Sequence, residues 1–478
     1  MPKQKIAMIG AGSVVFCKTL LSDILATPAL AESEFALMNR TETKLRRMEA
    51  FAKRMIKENG LNATVWGTLN LQEAIKDADF VVIMIQIGGL DAFGLDYEIP
   101  LKYGVDQCIG DSLGPGGIFR GLRTIPVLVD IARDMERYAK PGAIMLQYAN
   151  PMAANCLALG QSTNVPFVGL CHGVQTTLDL IARYCEVPKE EINFLCGGIN
   201  HMDWFLKLTH KGRDLYPKLR EVFEKPEYYK NEKVRGEVFR QFGYFMTEST
   251  GHLSEYLPWF RKNQKSLNLY CDEPSFGGES GAYYKYSKVL SAKYAKVDPL
   301  EFETAKIEKR SVEYCSYIME AVVTGKPFRF MGNVRNNGYI TNLPLNACVE
   351  VPTFADNRGL QPVRIGEIPP QCAAACITNI NSQILTAKAA LEGDTENIVH
   401  AVAMDPLTGA VLTLNEIRDM CSEMFEAERP WLPQFEGKKI RSTPIINIPP
   451  DCKPVSVPLD PALAINKRFG DLISRKTD

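Results

Sequence analysis

Residues 5–16, Lys5-Ile6-Ala7-Met8-Ile9-Gly10-Ala11-Gly12-Ser13-Val14-Val15-Phe16, decide the fold. The first five form a strand-like apolar run, and Gly10-Ala11-Gly12 permits a tight turn into a helical stretch reaching about Ala26. Glycines at this spacing let a pyrophosphate approach the helix N-terminus, where unpaired N–H groups favour an anion. The third glycine of the dinucleotide fingerprint is absent, because Val15 stands there. Gly10, Gly12, Ser13 and Val14 are therefore the expected phosphate-side contacts of a dinucleotide. A tight turn with no ligand is the plainer alternative.

Outward from this turn, short apolar runs alternate with amphipathic ones. Strands are expected at Phe35–Met38, Ala63–Thr68, Phe80–Ile85, Ile144–Gln147 and Phe167–Leu170. Helices are expected from Thr41 to about Lys57, at Leu71–Asp77 and at Leu122–Tyr138. The run FVVIMI at 80–85 is too apolar for a one-faced strand and belongs at a sheet centre. The alternation predicts an α/β chain whose residues 1–195 form a Rossmann-like, doubly wound parallel sheet. Past Phe194 the pattern is mixed, with helical stretches near 300–324, 372–392 and 396–404. Residues 196–478 are expected to be a second, α+β catalytic domain carrying substrate, metal and oligomer contacts. Pro444, Pro449, Pro450, Pro454, Pro458 and Pro461 then forbid a helix and predict an extended C-terminal arm.

The chain has 478 residues, 46% hydrophobic and 23% charged, enough for two or three domains. Its 55 basic and 56 acidic residues leave no electrostatic footprint for nucleic acid or an anionic membrane. No apolar run is long enough to span a bilayer, and the N-terminus lacks the pattern of a secretory signal. Thirteen scattered cysteines without a CxxC pair read as reduced thiols. A cytoplasmic globular protein is expected, with no nucleic-acid or membrane partner.

Several residues carry chemistry. The second strand ends in Asn39-Arg40, where an acid normally binds the adenosine ribose hydroxyls. Asparagine can still bond a ribose, so NAD is expected, while the missing acid and adjacent cation keep NADP open. Cys171-His172 directly follows a buried strand, and His201 follows a second short apolar segment. Strand ends are where open α/β sheets place their chemistry, and a thiolate with an imidazole could hold a divalent metal. A structural cysteine and histidine are the plainer alternative. Asp111-Ser112-Leu113-Gly114-Pro115-Gly116-Gly117 is either an anion-binding loop or a sharp loop with a helix cap. In Gln147-Tyr148-Ala149-Asn150-Pro151-Met152, the proline makes Asn150 extended, able to aim its amide into a cleft or to cap a helix.

Taken in order, GAGSVVF, the aliphatic strand ending at Gln86, DSLGPGGIFRGLRTIP, QYANPMA, VGLCHG, GINHM, GYFMTESTGHLSEYLPWF, GNVRNNGYITNLP and CVEVP resemble glycoside hydrolase family 4 over most of residues 1–425. The resemblance implies a lactate dehydrogenase-like cofactor domain, NAD with Gln86 at its cleft, and a divalent metal, usually Mn2+. Cys171 and His201 would hold the metal. Tyr256 would be the base, with His252 as rival base or third ligand. His172 would be the general acid, and Asp111 and Asn150 would grip sugar hydroxyls, with Glu350 and Arg335 as further candidates. The implied reaction is redox-neutral: oxidation at sugar C3, elimination, water addition and re-reduction.

Tyr244–Phe260 and Gln86-Ile87-Gly88-Gly89 are most similar to the melibiase-type α-galactosidases, and QIGGLDAFG has no Arg or Lys for a 6-phosphate. A small-molecule α-glycoside and a homodimer or homotetramer are implied. An α-galacturonidase or α-glucosidase of the same family is the alternative, then a 2-hydroxy acid dehydrogenase, since GxG and ANP occur there too. A non-catalytic nucleotide-sensing module is the last alternative. Asn39 and Asp203 depart from the family pattern.

Overall fold

Six parallel strands build the N-terminal part of the chain, in the order β3-β2-β1-β4-β5-β6. They are β1 (Lys5–Ile9), β2 (Glu34–Met38), β3 (Thr64–Thr68), β4 (Phe80–Ile83), β5 (Ile144–Gln147) and β6 (Phe167–Gly169). The computed structural model describes residues 3–296, 298, 300–301 and 304–453. Alternate residues of the central strands feed different cores: Ile6, Met8, Phe80 and Val82 pack on one face, Ala7, Ile9, Val81 and Ile83 on the other. Both faces are thus buried by helices, as the unbroken apolar run at 80–83 requires. Each fully buried aliphatic side chain contributes roughly 1.5–3 kcal/mol.

The sheet does not end at β6. It continues as β10-β11-β7-β8-β9, with β12 paired to β11, in one twelve-stranded array. These are β7 (Ile192–Ile199), β8 (Met202–His210), β9 (Arg213–Asp214), β10 (Phe328–Arg335), β11 (Cys348–Asp356) and β12 (Gly359–Pro362). All pairings beyond β6 are antiparallel. A one-residue bridge, Asn333 to Gly169, stitches this part to the first, and a second, Glu350 to Gly198, joins β11 to β7 within it. The approach is tight, because a Cβ on Gly169 would sit 2.5 Å from Met152 Sδ, and one on Gly198 would sit 2.4 Å from the Met202 carbonyl oxygen. Residue 195 lies inside β7.

Three expectations change. The long helix starts at Gly114 instead of Leu122 and runs to Tyr138, so the glycine-rich stretch is its first turn. A Cβ on Gly116 would lie 2.6 Å from the Asp96 carbonyl oxygen, and one on Gly117 would lie 2.5 Å from Ser112 C. These glycines admit other backbone, and the Gly114 N–H already donates to Asp405 Oδ1 at 3.1 Å, so close packing displaces the anion-loop reading. The helix expected near 300–324 is confined to Cys315–Thr324. Residues 304–314 form no helix. Their backbone groups are taken by side chains of the cofactor half: Ile307 N–H donates to Asn59 Oδ1 at 3.1 Å, Asn59 Nδ2 donates to the Ala305 carbonyl at 2.8 Å, and Ser311 N–H donates to Asp23 Oδ1 at 2.8 Å.

Residues 443–453 of the proline-rich arm contain no helix or strand, and Pro454, Pro458 and Pro461 lie outside the described residues. Among the described residues, no helix is long and apolar enough to cross a membrane.

Candidate active site

Because β1, β2, β4, β5 and β6 run parallel, their carboxyl ends share one edge. There the chain leaves β1 through Gly10, at φ +92°, and a Cβ on it would stand 2.5 Å from the Met84 carbonyl oxygen. The Gly10 and Ala11 N–H groups both donate to the Met38 carbonyl at 2.9 Å, which ties the turn to β2. Ser13 Oγ accepts from Phe16 N–H at 3.1 Å and starts the helix Phe16–Leu25. The resulting cleft, about 750 Å³, is lined by Gly10, Gly12, Ser13, Asn39 and Gln86. Val14 is the exception among the expected contacts: its apolar side chain packs against the core instead of lining the cleft.

Past β6, Cys171 accepts a hydrogen bond from Gly173 N–H at 3.4 Å. His201 occupies the two-residue turn between β7 and β8, at φ +64°. Its Nδ1 is hydrogen-bonded to the Tyr256 hydroxyl at 3.0 Å, while Nε2 stands 4.0 Å from Glu248 Oε1. Ligand atoms of Cys171, His201 and Glu248 all lie within 4.8 Å of one another. Glu248 was not legible in advance; it sits at φ +76°, just before the helix Thr250–Tyr256. His252, expected as third ligand or rival base, lies beside it, with Nδ1 3.2 Å from Glu248 Oε2.

A divalent cation fits this set. Burial lowers the His201 pKa to about 4, leaving the neutral imidazole that metals bind. Burial pushes the Cys171 thiol well up, with Glu350 and Glu248 adding to it, so a thiolate here needs a cation beside it. Burial would also discharge His252, but the Glu248 hydrogen bond and charge hold its pKa at about 9. Its Nε2 is buried with no protein partner among the described residues. Burial likewise pushes the Tyr256 phenol well above its ordinary value.

Around this cluster, Asp111 Oδ2 accepts from Asn150 Nδ2 at 3.0 Å, its Oδ1 accepts from Ser112 Oγ at 2.7 Å, and Arg120 lies 3.8 Å away. The Asn150–Pro151 bond is cis. His172, mostly exposed, places Nδ1 3.0 Å from Glu313 Oε1. Of two further expected sugar contacts, one is buried and the other lies in a separate cleft. Glu350 is 1% exposed in mid-β11, with Oε2 accepting from Asn200 at 3.2 Å and a hydrogen bond shared with the buried Asp203. It supports the turn that carries His201. Arg335 follows Asn333 on a strand antiparallel to β6, so it is carried to the amino-terminal edge of β6, in a separate cleft with Phe167 and Arg358.

A Rossmann-type dinucleotide cleft beside a thiol–imidazole–carboxylate cation site, with a tyrosine against the imidazole, defines an enzyme whose chemistry is divided between a redox cofactor and a metal. That combination is matched in sequence as well. The "Family 4 glycosyl hydrolase" model matches residues 5–187, and the "Family 4 glycosyl hydrolase C-terminal domain" model matches residues 196–408. The chain belongs to the family 4 glycosyl hydrolases. It is 41% identical over 442 residues to an alpha-galactosidase of Rhizobium meliloti (strain 1021), covering 91% of this chain and 90% of that one. It is 38% identical over 441 residues to an alpha-galactosidase of Bacillus subtilis (strain 168), covering 91% and 100%. Among solved structures, the putative glucosidase lplD from Bacillus subtilis superposes with a TM-score of 0.78 at 26% identity, covering 88% and 99%. A 6-phospho-alpha-glucosidase from gut microorganisms, solved in complex with NAD and Mn2+, shares the fold with a TM-score of 0.73 at 20% identity, covering 90% and 99%.

Proposed function

We propose that this enzyme hydrolyses terminal α-galactosides with NAD and a divalent metal, Mn2+ being the expected ion. The observation that carries the reading is the convergence of Cys171, His201 and Glu248, with Tyr256 hydrogen-bonded to His201. The alpha-galactosidase relatives support the galactoside over a galacturonide or glucoside. When bound, the nicotinamide supplies a reversible hydride sink for a sugar carbon, and the cation supplies Lewis-acid stabilisation to the adjoining oxygens.

The protein's own residues do the remainder. Cys171, His201 and Glu248 hold the cation, and His252 fixes Glu248 from the next helical turn. Tyr256 takes the proton from the carbon beside the oxidised one; burial favours its neutral phenol, so this role requires the phenolate that a cation in the cluster would stabilise. His172, oriented through Nδ1 by Glu313, presents Nε2 to the departing oxygen. Asp111 and Asn150, locked to each other, hold sugar hydroxyls in register. The division near residue 195 leaves the dinucleotide cleft before it, while the cation ligands straddle it, Cys171 before and His201 and Glu248 after. We further propose a homodimer or homotetramer, which light scattering on the eluting protein tests directly.

The experiment is release of 4-nitrophenol from its α-galactoside in the presence of NAD⁺, Mn2+ and a thiol reductant, each omitted in turn. Release that collapses without dinucleotide or metal, with no accumulated NADH, is the expected result. Absence of release with the full mixture, alongside release from the α-galacturonide, would replace the galactosidase by the galacturonidase. Lasting NADH would point to a dehydrogenase.

A further inference from the structure

We propose that the adenosine end of the nucleotide cleft accepts a dinucleotide phosphorylated at the ribose 2′-oxygen, so that NADP is bound at least as tightly as NAD. The inference rests on the dinucleotide reading above and concerns residues peculiar to this chain. In a dinucleotide fold, the residue ending the second strand reads the ribose; a carboxylate there bonds the hydroxyls and repels a 2′-phosphate, whereas a nearby arginine accommodates it.

Here that position is Asn39, directly over the glycine turn: a Cβ on Gly12 would lie 2.3 Å from Asn39 Nδ2. Asn39 Oδ1 accepts from Thr41 N–H at 2.9 Å, and the side chain carries a neutral amide where a carboxylate would repel a phosphate. Arg40, Thr41 and Lys44 line the same cleft and are exposed. Neither Arg40 nor Lys44 forms an ion pair among the described residues. Glu42, between them in sequence, pairs with Arg46 at 3.7 Å. Among the described lining residues the one carboxylate is Asp130, carried by the helix Gly114–Tyr138 and paired with Arg133 at 3.5 Å.

The adenosine end therefore offers two uncompensated cations, a hydroxyl, and the N-terminus of the seventeen-residue helix Glu42–Glu58. All of these favour an anion, and no acid at the end of β2 opposes one. A dinucleotide ending in free 2′- and 3′-hydroxyls would leave both cations without a partner, whereas a 2′-phosphate engages them in charge-assisted hydrogen bonds.

The test is direct binding, measured by titration calorimetry of NADP⁺ and NAD⁺ to the purified enzyme, independent of turnover. NADP⁺ is expected to bind at least as tightly as NAD⁺. Its affinity should fall at least fivefold in Arg40→Ala, with that of NAD⁺ changed less than twofold. Asn39→Asp should favour NAD⁺ by tenfold or more. Arg40 is exposed and Asn39 half-buried, and thermal melting checks that the variants fold. Tighter binding of NAD⁺ by the wild type, or a preference that neither variant moves, overturns the inference and leaves the glycosidase reading standing. Binding of neither dinucleotide overturns both.

Discussion

The nucleotide cleft and the metal cluster share one sheet yet are built by opposite means. The phosphate side of the cleft comes from contiguous pieces, a strand, a glycine turn and a helix, tied to β2 by the hydrogen bonds of Gly10 and Ala11 to Met38. The cluster joins three distant pieces: Cys171 after β6, His201 in a hairpin turn and Glu248 ahead of a helix. Two of its three residues hold positive φ. The cleft is therefore written in local sequence, whereas the cluster exists only once the antiparallel part of the sheet has formed. Damage to the first should weaken a ligand, and damage to the second should abolish chemistry.

The sharpest break is at the cluster. Cys171→Ser and His201→Ala should each lower kcat/KM on 4-nitrophenyl α-galactoside by about a thousandfold, the loss of several kcal/mol of cation stabilisation, with melting temperature little changed. Glu248→Gln should raise the Mn2+ concentration needed for half-maximal activity by about 10–100-fold. Gly173→Ala should have a milder version of that effect, because its Cβ would sit 2.6 Å from Glu248 Oε1 and push the carboxylate away.

At the cleft, Gly10→Ala imposes a Cβ at positive φ against Met84, a strain of about 1–3 kcal/mol. Dinucleotide affinity should drop about tenfold while Mn2+ dependence stays put; loss of both together would show that the two regions are not separable. The smallest effect is expected at Glu313→Gln, which loosens His172. Turnover of 4-nitrophenyl α-galactoside should fall about twofold, and that of an α-galactosyl disaccharide about tenfold, since a sugar alkoxide needs its proton more than a nitrophenolate does. Equal losses on both substrates would remove Glu313 from the orientation of the acid.

The same contrast governs what could be read in advance. Residues 5–16 and the apolar run at 80–83 declare their structure, because a glycine turn and two-sided burial leave few alternatives. Cys171 and His201 were legible as chemistry-bearing side chains near expected strand ends. Glu248 was not, since nothing local marks an acid whose position depends on a positive-φ turn and on the glycine at 173. Arg335 misled because sequence does not show that β10 runs antiparallel to β6. For Glu350, an acid in a strand reads as a contact in sequence, and its burial and bond to Asn200 are known only from the fold. Residues 304–314 were expected to be helical, and the side chains of Asn59 and Asp23 are the distant partners that make the irregular path affordable.

The uninterrupted sheet bears on timing. A catalytic cycle that borrows two electrons from a sugar and hands them back to the same carbon tolerates no drift between lender and borrower in the interval. Many two-part enzymes achieve alignment by swinging shut on their substrate, and lose it each time they reopen. Here the Gly169–Asn333 bridge joins β6 to β10, and the two workshops stand on a single bench. Alignment is then set as the chain folds.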